Sequence, residues 1–300
     1  MSRPEHIAPP ELFYNDAEAS KYTSNSRIQI IQAAMTERCI ELLNLPSYAS
    51  DSSVSLPSLI LDIGCGSGLS GEILTEAGHQ WVGVDIAPSM LEVALERESE
   101  GDLFLHDIGQ GFGFRPGSMD GAISVSVLQW LCNADRTVNA PPARLARFFN
   151  TLFASLKRGA RAIFQFYPES DDQVNLIMSI ATKAGFTGGL VVDYPNSRKA
   201  KKFYLCLMSG LNASSSASNE IGNRLPKALG TEDDGVIVDS VAYEHSREKK
   251  HRQKNPKGKK GSLPGDKDWI LRKKSLYRQR GKEDVPNDSK FTGRKRRAKF

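Results

Sequence analysis

Cysteine is scarce in this 300-residue chain. The four present, Cys39, Cys65, Cys132 and Cys206, lie far apart and form no Cys-x-x-Cys pair. That spacing suggests neither a disulfide framework nor a cysteine-based zinc site, and it fits a reducing compartment. Long apolar runs are missing too: none approaches the ~18 residues needed to span a bilayer. Glu5, Pro9, Pro10 and Glu11 stand where a secretory signal would carry a basic patch and an apolar stretch, so neither signal peptide nor membrane span is expected. No internal repeat is expected either. With 39% apolar and 25% charged residues, a substantial core is available. The formal charge of +5 hides an asymmetry. Residues 245–300 hold 21 Lys and Arg against 6 Asp and Glu, a balance of +15, whereas residues 1–244 hold 19 against 29, or −10. An acidic body has no electrostatic reason to hold a polyanion, but a tail of this charge binds phosphate with release of counterions.

The pattern along the chain is that of an α/β protein. Ile30, Ile31, Ala34, Ile40 and Leu43 predict an amphipathic helix over Arg27 to Leu45, stopped by Pro46, and a polar loop follows from Ser47 to Ser58. Strand, turn and helix then alternate: strand Leu59 to Ile63, helix Leu69 to Ala77, strand Trp81 to Asp85, helix Pro88 to Arg97, strand Leu103 to Leu105. That is the rhythm of a parallel sheet. It continues with an apolar run Gly121 to Val127, a helix Pro142 to Leu156, a strand Arg161 to Tyr167 and a helix Asp171 to Ala184. Val191, Val192 and the Phe203 to Met208 run can close an antiparallel edge. Asn212 to Asn219 reads as a polar loop or linker. In the tail, Trp269, Ile270, Leu271, Leu276 and Tyr277 are spaced for a short docking helix.

Leu59-Ile-Leu-Asp-Ile-Gly-Cys-Gly-Ser-Gly68 is the most informative stretch, an apolar strand running straight into three glycines and then a helix. Glycine is required where backbone turns sharply and lies close to a ligand. Asp62 can order that loop and attract a cationic ligand, and Asp85, ending the next strand, can accept from both hydroxyls of a ribose. Two cofactor classes satisfy these residues. Gly66-Ser-Gly-Leu-Ser-Gly71 meets the dinucleotide fingerprint with Asp85 at a suitable distance. Asp62-x-Gly64-x-Gly66-x-Gly68 resembles motif I of class I methyltransferases instead, and a pyrophosphate has little use for the Asp62 carboxylate. Gly83 to Leu91 and His106-Asp-Ile108 also resemble the ribose and adenine segments of that fold. Gly71 reads as a helix-packing position, and His106 as structural or exposed.

Several segments together resemble a narrower group, the eukaryotic 18S ribosomal RNA guanine-N7 (Williams-Beuren syndrome) methyltransferase family. They are Arg3 to Pro10, Phe13-Tyr-Asn-Asp16, Lys21-Tyr-Thr23, Asp62 to Glu72, Gln129 to Asp135, Phe164 to Pro168 and Gly188 to Asp193, with Trp269 to Lys274 and Asp288 to Arg297 in the tail. The likeness covers nearly the whole chain and lapses between Asn212 and about Asp239. It implies a class I Rossmann-like fold, a mostly parallel seven-stranded sheet with helices on both faces plus a basic C-terminal extension. It implies S-adenosyl-L-methionine as cofactor, a guanosine of 18S rRNA in the pre-40S particle as substrate, and a heterodimer with a small zinc-containing activator protein, which strand addition near Leu103 to Leu105 can accommodate. The corresponding parts are a helical lid segment (1–58), a core (59–208), a linker (209–244) and an RNA-contacting tail (245–300). The clusters Arg272 to Lys274 and Arg294 to Arg297 suit rRNA phosphates and also resemble a nuclear localisation signal, giving nucleus as the expected compartment.

On this reading the cofactor site comprises Asp62, Gly64, Cys65, Gly66, Gly68, Asp85, Ile86, Met90, Asp107 and Ile108, with Asp107 partnering the adenine amino group. Guanine N7 has a free lone pair, so no acid or base is expected and no metal. Substrate-positioning candidates are Tyr14, Asp16 and Tyr22 in the lid, and Gln129, Trp130 and Tyr167 at the sheet ends, Trp130 as a platform for a stacked base. A small-molecule methyltransferase and a mainly non-enzymatic assembly factor are the other functional classes open to this sequence.

Overall fold

The computed structural model describes residues 3–45, 57–133, 140–197, 199–210 and 225–230, with Lys267, Ile270, Leu271, Lys274, Ser275, Arg278 and 287–289 in the tail. The polar stretch 212–219, most of the loop after Pro46, Asp135, Trp269 and the Arg294 to Arg297 cluster lie outside the described residues. Three helices come first: α1 (Pro10–Phe13), α2 (Asp16–Ser24) and α3 (Ser26–Leu43). Asn15 and Asn25 cap α2 and α3 by accepting from the first free amides, and Asn44, left-handed at φ 47°, ends α3.

The rest is a seven-stranded sheet among the described residues, in the order β3-β2-β1-β4-β5-β7-β6. Its strands are β1 (Leu59–Ile63), β2 (Gln80–Asp85), β3 (Asp102–Leu105), β4 (Met119–Val125), β5 (Leu156–Phe166), β6 (Phe186–Asp193) and β7 (Lys202–Ser209). Only β7 runs against its neighbours; the first five pair in parallel. The intervening helices are α4 (Leu69–Glu76), α5 (Pro88–Glu96), α6 (Pro141–Ser155) and α7 (Asp171–Lys183). One apolar layer, around Phe148, Phe149, Phe164 and Phe186, fills the space beneath α6 and α7; the other, around Leu42, Ile60, Trp81 and Cys206, lies under α3 and α4. Trp81 needs room. A Cβ on Gly71 would stand 2.1 Å from its ring, so Gly71 is the helix-packing position its place in the motif suggested.

The apolar face of α3 differs from the sequence pattern. Ile30 and Ile31 are exposed and Ala34 faces solvent, whereas Met35, Thr36, Arg38, Cys39, Leu42 and Leu43 point inward. Polar residues can occupy that face because they are partnered. Thr36 donates to the Gln32 carbonyl, and Arg38 forms a bidentate pair with buried Asp193 at 2.9 and 3.3 Å while donating to the Lys227 carbonyl. The Asp193 carboxylate also accepts from the Leu229 amide, and Tyr194 donates to the Leu229 carbonyl. Residues 225–230, which lie in the stretch read as linker, are thereby fastened along β6. In the tail, Lys267, Ile270, Leu271, Lys274, Ser275 and Arg278 have helical backbone. No helix among the described residues is long and apolar enough to cross a membrane.

Removing one member of a buried, hydrogen-bonded pair leaves the other uncompensated, at a cost of about 3–5 kcal/mol. Arg38→Ala is therefore expected to lower the unfolding free energy of the full chain by about that amount, read from the midpoint of chemical denaturation. An unchanged midpoint would show that the clamp does not hold the 225–230 segment.

Candidate active site

A solvent-open cleft of about 930 Å³ lies at the carboxyl ends of β1, β2 and β4. There the strand order reverses between β1 and β4, leaving a crevice above the sheet. Its floor is the turn after β1. Gly64, Gly66 and Gly68 all adopt positive φ, at 74°, 52° and 78°. A Cβ on Gly64 would stand 2.2 Å from Val127 Cγ2, and one on Gly66 2.9 Å from Met90 Cε. Gly68 does something else: it caps α4 in the left-handed conformation against Ser99 and is absent from the cleft lining.

Three carboxylates surround this floor. Asp85 accepts from the Gly66 and Ala87 amides, both at 2.8 Å, so it holds the loop after β1 against the loop after β2 while lining the cleft. Burial raises its carboxyl above the usual range, against those backbone bonds. Asp62 lies one layer beneath the lining. Its Oδ2 accepts from Ser70 at 2.6 Å, its buried Oδ1 has no partner among the described residues, and burial pushes its carboxyl up to about 7. Asp107 caps the short 3-10 turn Ile108–Gln110 by accepting from Gly109, and lines the cleft beside Ile86, Met90 and Ile108.

The sequence reading missed Arg144. This buried α6 residue lines the cleft and pairs with Asp107 at 2.6 Å, while its Nε has no partner among the described residues. A Cβ on Gly109 would stand 2.2 Å from that Nε, so only glycine lets the guanidinium lie there. No local pattern marks an arginine on an amphipathic helix as inward-facing. His106, expected to be structural or exposed, also lines the cleft, its ring meeting the Gly111 carbonyl.

Part of the cleft wall is aromatic. Tyr14, Tyr22 and Trp130 line it with Pro10, Gln32, Ser126 and Val127. The Tyr14 ring stands 6.0 Å from Trp130 and 5.9 Å from Tyr22. Burial pushes the Tyr14 hydroxyl up to about 12 and Tyr22 higher still. Ser126 sits at φ 64°, an uncommon conformation for a non-glycine residue, held by Gln165 and by Gln129, which donates to its carbonyl.

Three candidates stand elsewhere. Gln129 is buried behind the lip rather than exposed, and Tyr167 packs toward Met35 with the Lys202 ammonium over its ring. Asp16 accepts from Ser89 at 2.6 Å, joining α2 to α5 outside the cleft. Among the described residues no group of three or more His, Cys, Asp or Glu stands close enough to hold a metal.

The acceptor-rich part suits a ribose and a cationic donor, the glycine floor admits them closely, and aromatic rings line the same cleft. Fold and cleft together define a class I S-adenosylmethionine-dependent methyltransferase. Residues 61–164 match the model of a methyltransferase domain, and residues 207–298 match that of the methyltransferase involved in Williams-Beuren syndrome. The solved phosphoethanolamine N-methyltransferase 2 of Haemonchus contortus shares the fold at TM-score 0.50 and 16% identity, over 70% of this chain and 61% of that one. Full-length relatives are far more similar. The 18S rRNA (guanine(1575)-N(7))-methyltransferase of Saccharomyces cerevisiae is 52% identical over 100% of both chains. The 18S rRNA (guanine-N(7))-methyltransferase of Mus musculus is 51% identical over 99% of this chain and 98% of its own. The chain belongs to the 18S rRNA (guanine-N7)-methyltransferase family.

The Asp62 environment has a measurable consequence. An unfolded aspartate titrates near ~3.9, so the folded state binds more protons between there and about 7. Stability of the ligand-free protein is thus expected to fall as pH rises across that window, and Asp62→Asn to flatten the slope. An Asn variant with the wild-type pH profile would show that Asp62 is not the group responsible.

Proposed function

We propose that this chain methylates N7 of a guanosine in 18S rRNA, in the nucleus, as the catalytic subunit of a heterodimer with a small zinc-containing activator. The observation that carries the reaction is the junction of the acceptor-rich and aromatic ends in one cleft, in a chain about half identical over its whole length to enzymes named for that activity. S-adenosylmethionine supplies the methyl group when bound. Gly64, Gly66 and Asp85 hold it at the floor, and Asp107, fixed by Arg144, offers an acceptor at the far wall.

Guanine N7 attacks through its own lone pair, so no group need take a proton. The substrate end fits that chemistry. Tyr14 and Tyr22 are held in their neutral hydroxyl forms by burial, and Trp130, Gln32 and Ser126 are not bases. What remains is geometry: keeping N7 in line with the transferring carbon, a service worth roughly 7–11 kcal/mol at its best. Trp130 and Tyr14 offer rings for stacking an unpaired base, and α1 and α2 close over it to exclude water.

Support for the activator comes from β3. This edge strand leaves Phe104 49% and Leu105 60% exposed, and Leu95 of α5 is 66% exposed. Apolar side chains on an edge unpaired among the described residues suit strand addition by a partner. Support for the nucleus is the pair of basic tail clusters alone.

Methyl transfer from labelled S-adenosylmethionine to small-subunit rRNA precursor, by the full chain co-expressed with the activator, is expected to give 7-methylguanosine at one position. Asp85→Ala should abolish it. Transfer to another atom or to no RNA would reject the reading. Leu105→Asp is expected to prevent recovery of the complex by co-purification; wild-type recovery would move the partner away from β3.

A further inference from the structure

Ser197-Arg-Lys-Ala-Lys-Lys202 packs four cations and no acid into six residues, within a body whose balance is −10. The topology puts this loop on the same rim of the sheet as the cleft. Gln165 of β5 faces Val125 of β4, and the Ser126 amide at the cleft lip donates to the Gln165 carbonyl. On its other side β5 pairs antiparallel with β7, Phe166 facing Phe203, so Lys202 enters β7 beside Tyr167. From the lip to Lys202 is therefore two strand spacings, roughly 10 Å.

The Lys201 ammonium stands 4.9 Å from the Phe203 ring centroid and that of Lys202 5.7 Å from Tyr167. Neither they nor Lys199 pairs with a carboxylate among the described residues. Asp193, which faces Lys202 across β6 and β7, is taken by Arg38 and the Leu229 amide. Aromatic faces restrain the ammonium groups without removing their charge. Lys199 and Lys201 are exposed and Lys202 is half-buried, so the fold gains little from them. A general solubility role explains charge, but not its concentration on the rim that carries the substrate end of the cleft.

We propose that Lys199, Lys201 and Lys202 form a phosphate-holding rim for the RNA backbone that flanks the target nucleotide, separate from the basic tail. This rests on the RNA-methyltransferase reading above and deepens it. A base drawn into the cleft leaves its neighbouring phosphates outside the lip, within reach of a cation about 10 Å away. Such contacts position the strand without reading its sequence. A small metabolite would have no use for them.

The test uses the full chain with its activator and a single-stranded RNA bearing the target guanosine. Binding is measured across a salt series for wild type, the Lys199→Ala/Lys201→Ala/Lys202→Ala variant and the corresponding triple Lys→Arg variant. At ~0.7 per single-strand phosphate contact, the alanine variant is expected to lose about 2 from the slope of log K against log salt. KM for RNA should rise with the loss falling on KM rather than kcat, the affinity for S-adenosylhomocysteine should hold, and the arginine variant should restore the slope. An alanine variant with wild-type slope and KM would overturn the rim. So would a loss confined to S-adenosylhomocysteine affinity. Wild-type protein that methylates no RNA would instead overturn the reading beneath it, an outcome visible before any variant is made.

Discussion

The structure depends most on the Asp85 carboxylate, whose two oxygens accept from the Gly66 and Ala87 amides. These amides belong to the two loops that must stand apart at the switch point for a ligand to enter. A single carboxylate ties both to the end of β2, and the Gly64 amide reinforces it by donating to the Val84 carbonyl. The positive φ angles of the floor follow, as does its want of side chains. Val127 then fits against Gly64, so the turn after β1 and the lip after β4 settle into one surface. The cost is electrostatic. Asp85 and Asp62 are both desolvated, and the Asp85 charge adds to the burden on Asp62, a tension that a cationic donor would relieve.

The lid is built on the same spot. Ala19 of α2 packs with Ala87 and Met90, while Tyr14 and Tyr22 border that small apolar cluster. Asp16 and Ser89 add a hydrogen bond between α2 and α5. The helices that bring aromatic rings to the substrate end are thus anchored on the elements that shape the cofactor end. Positioning of one against the other is what an N7 nucleophile asks of the site, and the bracing serves it.

Much of this was legible from the sequence because backbone needs and sequence pattern coincide there. β1 begins and ends where its apolar run does, Asp85 ends β2, and Asp107 stands two residues beyond β3. The legible part ends where tertiary partners decide. Ile30 and Ile31 suggested a core face for α3, but the Arg38–Asp193 pair turns the helix so that polar residues face inward. Gln129 offers the donor and acceptor that a guanine edge needs, but its position in the fold is set by the Ser126 carbonyl, to which its amide donates. Arg144 carried no local signal at all, since its meaning comes from Asp107 and Gly109, more than thirty residues away. Short α1 and α2 lack a readable apolar period; α2 is held by its Asn15 cap, and Pro10 at the start of α1 and Tyr22 of α2 border the cleft.

The two margins of the sheet are handled in opposite ways. At β6, residues 225–230 lie along the strand: Leu225 sits 2.7 Å from where a Gly189 Cβ would be, Tyr194 donates to Leu229, and Arg38 grips the Lys227 carbonyl. That margin is covered by the chain itself. At β3 nothing comparable stands among the described residues, and the strand presents Phe104 and Leu105 to solvent without an interrupting Lys or Pro. An open apolar edge is an aggregation hazard that folds ordinarily blunt. Among the described residues the chain thus covers one edge of the sheet and leaves the other apolar. Because β3 is hydrogen-bonded to β2, whose terminal Asp85 braces the floor, strand addition at β3 would stiffen the strand that carries the cofactor carboxylate. Occupancy of the edge and order in the cleft would then be linked through one strand pair.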